Sequence, residues 1–180
     1  VIFSSVSGKV SIIGNASGSD FSSYMVQVGE GINPTNWQQI GSTSTTPVTN
    51  GELAVWETKN LNGLYAIRLN VIKTNQEIQT SIIQVTVDNT PPQVHITYPQ
   101  DGQTIESVRG TITLSIDIQD EVNLGNVEWH VDDRLVSTQT SPPFVLLFDA
   151  SKGKHTLLIT AWDAAGNKTT TDKIQFTVEK

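Results

Sequence analysis

Cysteine is absent from the 180-residue chain, which excludes a disulfide framework, a thiolate metal site and a thiol nucleophile. Charge is scarce as well: Asp, Glu, Lys and Arg make up 16% of the residues, where about 25% is usual. That is too little for a coiled coil or a charged disordered tail. No apolar run approaches the roughly 18 residues needed to span a bilayer as a helix. Positive charge is outnumbered, with a formal net charge of -7, which argues against a nucleic-acid partner. Val1 opens directly into a strand-like stretch with no leader pattern ahead of it, so a piece of a longer polypeptide is expected.

What the chain does have is alternation. Ile112, Leu114, Ile116 and Ile118 alternate with Thr111, Thr113, Ser115 and Asp117. Tyr24, Val26 and Val28 do the same, as do Ile174, Phe176 and Val178. A period of two describes half-buried strands, one face in a core and the other in water. Turn signals separate these runs: Gly18-Ser19-Asp20, Asn50-Gly51, Asn62-Gly63, Asp101-Gly102, Asp132-Asp133 and Ala165-Gly166-Asn167. No stretch of ten residues carries helical spacing. Six or seven short strands per ~90 residues is the arithmetic of a β-sandwich.

One boundary stands out. Val87-Asp88-Asn89-Thr90-Pro91-Pro92 lies between two strand-like runs, and two prolines remove two donors and fix φ. The expectation is two all-β sandwiches in tandem, residues 1–89 and 90–180, joined by a short, stiff Pro-Pro linker. Residues 1–88 hold four basic and six acidic residues, and residues 89–180 hold seven and twelve. Neither half carries a basic patch. The halves also repeat each other at an offset of 90: Gly63 lies over Gly153, Tyr65 over His155, and Ile67, Leu69 and Val71 over Leu157, Ile159 and Ala161.

Leu61-Asn62-Gly63-Leu64-Tyr65, running into that alternation, resembles a tyrosine corner. In that device a Tyr hydroxyl at the start of strand F bonds upstream backbone and fixes the crossing between sheets. The resemblance makes Gly63 and Gly153 markers of equivalent E–F crossings, Tyr65 a buried corner residue, and His155 its counterpart. Trp129, between Val127 and Val131, sits where strand C of an immunoglobulin-like sandwich carries its core Trp. The second half, with Gly153-Lys154-His155 and Ala161-Trp162-Asp163-Ala164-Ala165-Gly166-Asn167, is similar to bacterial extracellular Ig-like modules. The first half, with Gly8-Lys9-Val10-Ser11-Ile12, Phe21-Ser22-Ser23-Tyr24 and Gly29-Glu30-Gly31-Ile32-Asn33-Pro34-Thr35-Asn36-Trp37, resembles a fibronectin-III-like module. Such modules follow the catalytic part of some secreted bacterial subtilisin-like peptidases and penicillin-binding proteins. The resemblance implies a monomeric, non-catalytic accessory region, a spacer or interaction module outside the cell or on its surface, covalently attached to neighbouring domains.

No residue pattern points to catalysis. His95, His130 and His155 have no ligand spacing, and no serine sits in a nucleophile elbow. Asp132-Asp133 reads as a hairpin turn. Calcium is the one cofactor with candidate ligands: Asp88 at the junction, Asp120 near Asp117 and Glu121 at a strand end, and Asp163 at another, since sandwich loops can supply the oxygens that calcium takes. Polysaccharide binding, for instance to cell wall, is the alternative function. It would use exposed indoles, with Trp37 after the loop-forming Asn33-Pro34-Thr35-Asn36 as the candidate and Trp56 and Trp162 as partners in a platform.

Overall fold

The computed structural model describes residues 4–120 and 124–179; the strand-like start at Val1 and the acidic Glu121 lie outside the described residues. The described residues form strands and loops without a helix. The chain divides into two compact units, Val1–Asn89 and Thr90–Lys180.

The first unit contains β1 (Ser4–Val6), β2 (Lys9–Ala16), β3 (Phe21–Glu30), β4 (Gln38–Ser44), β5 (Val48–Glu57), β6 (Gly63–Lys73) and β7 (Ile78–Val87). One sheet runs in the order β1-β7-β6-β3-β4, and β2 pairs with β5 in the other. Alternate residues of each sheet point inward. Tyr24, Val26 and Val28 from β3, Ile67 from β6, and Val85 and Val87 from β7 meet Ile12, Leu53 and Trp56 from the facing sheet.

The second unit contains β8 (Gln93–Tyr98), β9 (Thr104–Glu106), β10 (Thr111–Gln119), β11 (Leu124–Val131), β12 (Arg134–Gln139), β13 (Val145–Asp149), β14 (Gly153–Asp163), β15 (Lys168–Thr170) and β16 (Ile174–Glu179). Its sheets run β12-β11-β14-β16-β9, with β15 also on β14, and β13-β10-β8. Trp129 is fully buried among Leu114, Leu157, Ile159 and Phe176, and its indole N–H donates to Gln139 Oε1 at 3.1 Å. That bond satisfies the one polar atom of the largest core side chain.

The two units share one plan. β6 and β14 are the central strands, each of 11 residues, each opened by a glycine at positive φ: Gly63 at 107° and Gly153 at 136°. A side chain at that φ would be strained, so glycine marks both crossings. β6 pairs antiparallel with β3 and β7, and β14 with β11 and β16. The outer strands β1 and β9 run parallel to β7 and β16.

One turn assignment fails. Asn50-Gly51 lies inside β5 instead of between strands. The β2–β5 register shifts nearby, Asn50 takes φ 49°, and its N–H is held by Asn15 Oδ1 at 2.7 Å. A bulge needs the same left-handed residue that a hairpin turn needs, which makes the two indistinguishable in sequence. Asp132-Asp133 does form the β11–β12 turn, with φ of 50° and 61°, the pair of positive angles a two-residue hairpin requires.

Truncating the indole of Trp129 leaves a cavity among fully buried neighbours. Trp129→Ala is expected to cost about 3–5 kcal/mol, read as a lowered urea midpoint for the second unit.

Candidate functional site

The E–F crossings each hold a set of polar side chains bonded to backbone among the described residues. In the second unit His155, mostly buried, bonds the Ser151 carbonyl through Nε2 at 2.8 Å and Asp132 Oδ2 through Nδ1 at 2.7 Å. The other Asp132 oxygen accepts the Thr156 N–H at 2.9 Å. A carbonyl and a carboxylate only accept, so the arrangement favours the imidazolium, whose two ring nitrogens both donate. Burial works against that charge, but the bonds to Ser151 and Asp132 outweigh it and hold the His155 pKa above its ordinary value. For Asp132, desolvation pushes upward, while the bonds from His155 and Thr156 pull harder and leave its pKa lowered.

Tyr65 behaves differently from its counterpart. Its ring is buried and packs edge-on against Trp56, with centroids 5.3 Å apart. Its hydroxyl makes no backbone hydrogen bond among the described residues; burial first and the charge of Glu30 second raise its pKa. The expected corner bond is therefore corrected. The Leu61 carbonyl, four residues upstream as Ser151 is of His155, is taken by Asn89 Nδ2 at 2.7 Å. Asn89 Nδ2 also donates to the Thr58 carbonyl at 2.8 Å, its Oδ1 accepts the Gly8 N–H at 2.8 Å, and its own N–H donates to Asn62 Oδ1 at 2.7 Å. The residue that the sequence places in the linker thus closes the first unit's crossing. The unit's buried tyrosine-to-backbone bond belongs to Tyr24, whose hydroxyl donates to the Leu53 carbonyl at 3.0 Å. No local signal distinguishes these options, because the partners are 28 and 29 residues apart.

The calcium candidates fall in different units, Asp88 in the first and Asp120 and Asp163 in the second. Asp163 Oδ1 accepts the N–H groups of Ala165 and Asn167 at 2.9 and 2.8 Å, and Oδ2 accepts Asn167 Nδ2 at 2.7 Å. Its carboxylate caps the β14–β15 turn, and oxygens facing three N–H donors are not aimed at a cation. Asp88 is buried at the end of β7, its N–H donating to the Val6 carbonyl, and Asp120 follows β10. Among the described residues no group of three His, Asp or Glu side chains is placed to hold a metal.

Burial removes Trp56 from the expected platform. Trp56 is buried in the first unit's core, and Trp162 belongs to the second unit with Lys168 Nζ 5.0 Å from its ring centre. Trp37 is half-buried and lines a cleft of about 370 Å³ with Glu30, Asn36, Gln38, Trp56 and Tyr65. The Arg68 guanidinium lies 4.0 Å from the Trp37 ring centre, its nitrogens held by Gln27 Oε1 at 3.0 and 2.7 Å. One face of the indole is therefore already stacked on a cation.

Comparison with known proteins agrees with this architecture. The Bacterial Ig domain family matches residues 92–159, within the second unit and less than half of the chain. No curated protein sequence matches. Among solved structures, the fibronectin(III)-like modules of Clostridium thermocellum CbhA superpose with a TM-score of 0.62 at 17% identity, over 99% of this chain and 90% of that one. At that identity the likeness is one of fold. Murine CEACAM1b gives a TM-score of 0.48 at 15% identity, covering 98% and 96% of the two chains. A bacterial ice-binding adhesin gives 0.43 at 16%, covering 98% and 61%.

Two outcomes follow from the crossings. Asn89→Ala leaves the Gly8 N–H and the Leu61 carbonyl short of a partner, and should cost about 1–3 kcal/mol, measured as a lower urea midpoint for the first unit. For His155 the raised folded pKa means its contribution is full below about pH 6.5 and fades as pH rises through the folded value. The lowered Asp132 value makes its own contribution fade only as pH falls below the ordinary carboxylate range. Thermal melts should therefore show the second unit losing stability as pH rises above about 6.5, with the loss blunted in His155→Phe.

Proposed function

We propose that the chain is a load-bearing, non-catalytic accessory region of a larger secreted or cell-surface bacterial protein, whose partners are the domains covalently attached to it. The observation that carries this reading is the parallel pairing of each unit's outer strands. β1 lies beside β7 in the register Ser4↔Val85, Ser5↔Thr86 and Val6↔Val87, closed by the Asp88 N–H on the Val6 carbonyl. β9 lies beside β16 from Thr104↔Thr177 to Glu106↔Glu179, closed by the Ser107 N–H on the Glu179 carbonyl. Parallel strands run the same way, so the chain enters the first unit at one pole and leaves it at the other. Tension along the chain loads the β1–β7 ladder in shear, where its hydrogen bonds resist together instead of opening one by one.

Other features support the same role. A sandwich built without cysteine needs no redox partner to fold, and the likeness to bacterial Ig domains and to fibronectin(III)-like modules favours an extracellular setting. The neighbouring domain in this reading is a peptidase, a cell-wall enzyme or an adhesin. Polysaccharide binding would have to use the Trp37 cleft, where Arg68 already occupies one aromatic face. That occupancy favours the spacer.

Val6 faces Val87 and accepts from Asp88, so in a parallel ladder its own N–H bonds β7 as well. Val6→Pro removes that donor. In single-molecule pulling of the 180-residue chain, the first unit of this variant should unfold at markedly lower force, with the second unit's force unchanged. Equal forces for variant and parent would contradict a load-bearing role for the ladder.

A further inference from the structure

The two units differ at one edge. In the second, β8 covers the outer edge of β10, pairing from Gln93↔Gln119 to Tyr98↔Ser115, and buries Val94 in the core. In the first, β2 is the counterpart of β10: Val10 faces Trp56 and Ile12 faces Ala54 on β5, as Ile112 faces Phe148 and Leu114 faces Leu146 on β13. Yet β2 has no strand on its other side among the described residues. Where β8 would lie, the sandwich opens into an apolar slot of about 340 Å³, lined by Ile13, Leu53, Ile67, Leu69 and Ile83. Ile83 stands on the same face of β7 as Val85 and Val87, which are 6% and 1% exposed, but is itself 56% exposed, and Ile13 is 63% exposed. A core-facing isoleucine left in water next to an unpaired backbone edge describes a missing strand.

We propose that this slot receives an extended segment of the same polypeptide, lying upstream of β1 and pairing antiparallel with β2, with alternate aliphatic side chains seated between Ile13 and Ile83. The repeat between the units identifies the occupant. In the second unit the covering strand β8 directly precedes β9, separated from it only by residues 99–103, and β9 is the counterpart of β1 through its parallel pairing. The same order in the first unit puts the covering strand just ahead of β1. The segment needs the pattern of β8, apolar where Val94 and Ile96 stand and polar between.

The test grafts a copy of residues 93–103 ahead of Ser4 in the full chain and follows hydrogen exchange at Ile13, Gly14 and Asn15. Capture of the graft should slow exchange there by about tenfold or more and raise the first unit's melting temperature. A graft whose copies of Val94 and Ile96 are changed to Lys should do neither. The same segment added as a free peptide to the ungrafted chain gives a second reading that does not depend on how the graft folds, and should protect the same amides. Unchanged exchange with both graft and peptide would overturn the proposal. So would light scattering showing that the ungrafted chain dimerises with those amides already protected, since a second copy would then be the occupant. Neither result bears on the pulling force of β1 against β7.

Discussion

The fold depends on how the chain is held where it crosses from one sheet to the other. β6 carries two ladders and β14 three, and each strand begins where a glycine reverses the backbone and a polar side chain satisfies the carbonyl left behind. In the second unit that side chain is the His155 imidazolium, braced by Asp132. In the first it is the Asn89 carboxamide, which reaches back from the end of β7 to Leu61, Thr58 and Gly8. Each solution places two donors on acceptors, Ser151 and Asp132 in the second unit and Leu61 and Thr58 in the first, and a buried group left unserved costs about 1–3 kcal/mol.

The choice of solution has consequences for the rest of each unit. With Asn89 on the Leu61 carbonyl, Tyr65 is released to pack on Trp56 beside Glu30 and Trp37. Because Asn89 belongs to the junction sequence, the first unit is sealed by the residue at which it ends. The His155 pin has no such reach but is titratable, so the second unit carries a pH dependence that the first crossing lacks. Neither crossing offers a nucleophile, a base with a substrate cavity or a set of metal ligands. What they stabilise is a sandwich whose outer strands run parallel, the geometry suited to tension.

Much of this was legible in the chain. Period-two alternation at Tyr24, Ile112 and Ile174 places the strands, because a half-buried sheet has no other way to be written. The 90-residue offset pairs Gly63 with Gly153, because a positive φ demands glycine wherever the crossing occurs. Trp129 is legible for the same kind of reason: only a core can hold an indole flanked by inward valines. The contents of the polar sites were not. Tyr65, Asn89 and Tyr24 all present groups able to bond backbone, and which one reaches depends on distances set by the whole sandwich. Asp163 reads as a calcium candidate until the amides of Ala165 and Asn167 are placed on its carboxylate. The bulge at Asn50-Gly51 uses turn chemistry inside a strand. That β2 pairs on one side alone among the described residues leaves no mark in the alternation of its own side chains.

The central claim is that each unit closes its own crossing with its own residues. Calorimetry of the 180-residue chain beside the separate pieces 1–89 and 90–180 tests it most directly. The account predicts that each piece folds alone and that the heat absorbed by the whole chain is the sum of two transitions at the midpoints of the pieces. A single two-state transition for the whole chain, with either piece unfolded by itself, would contradict it.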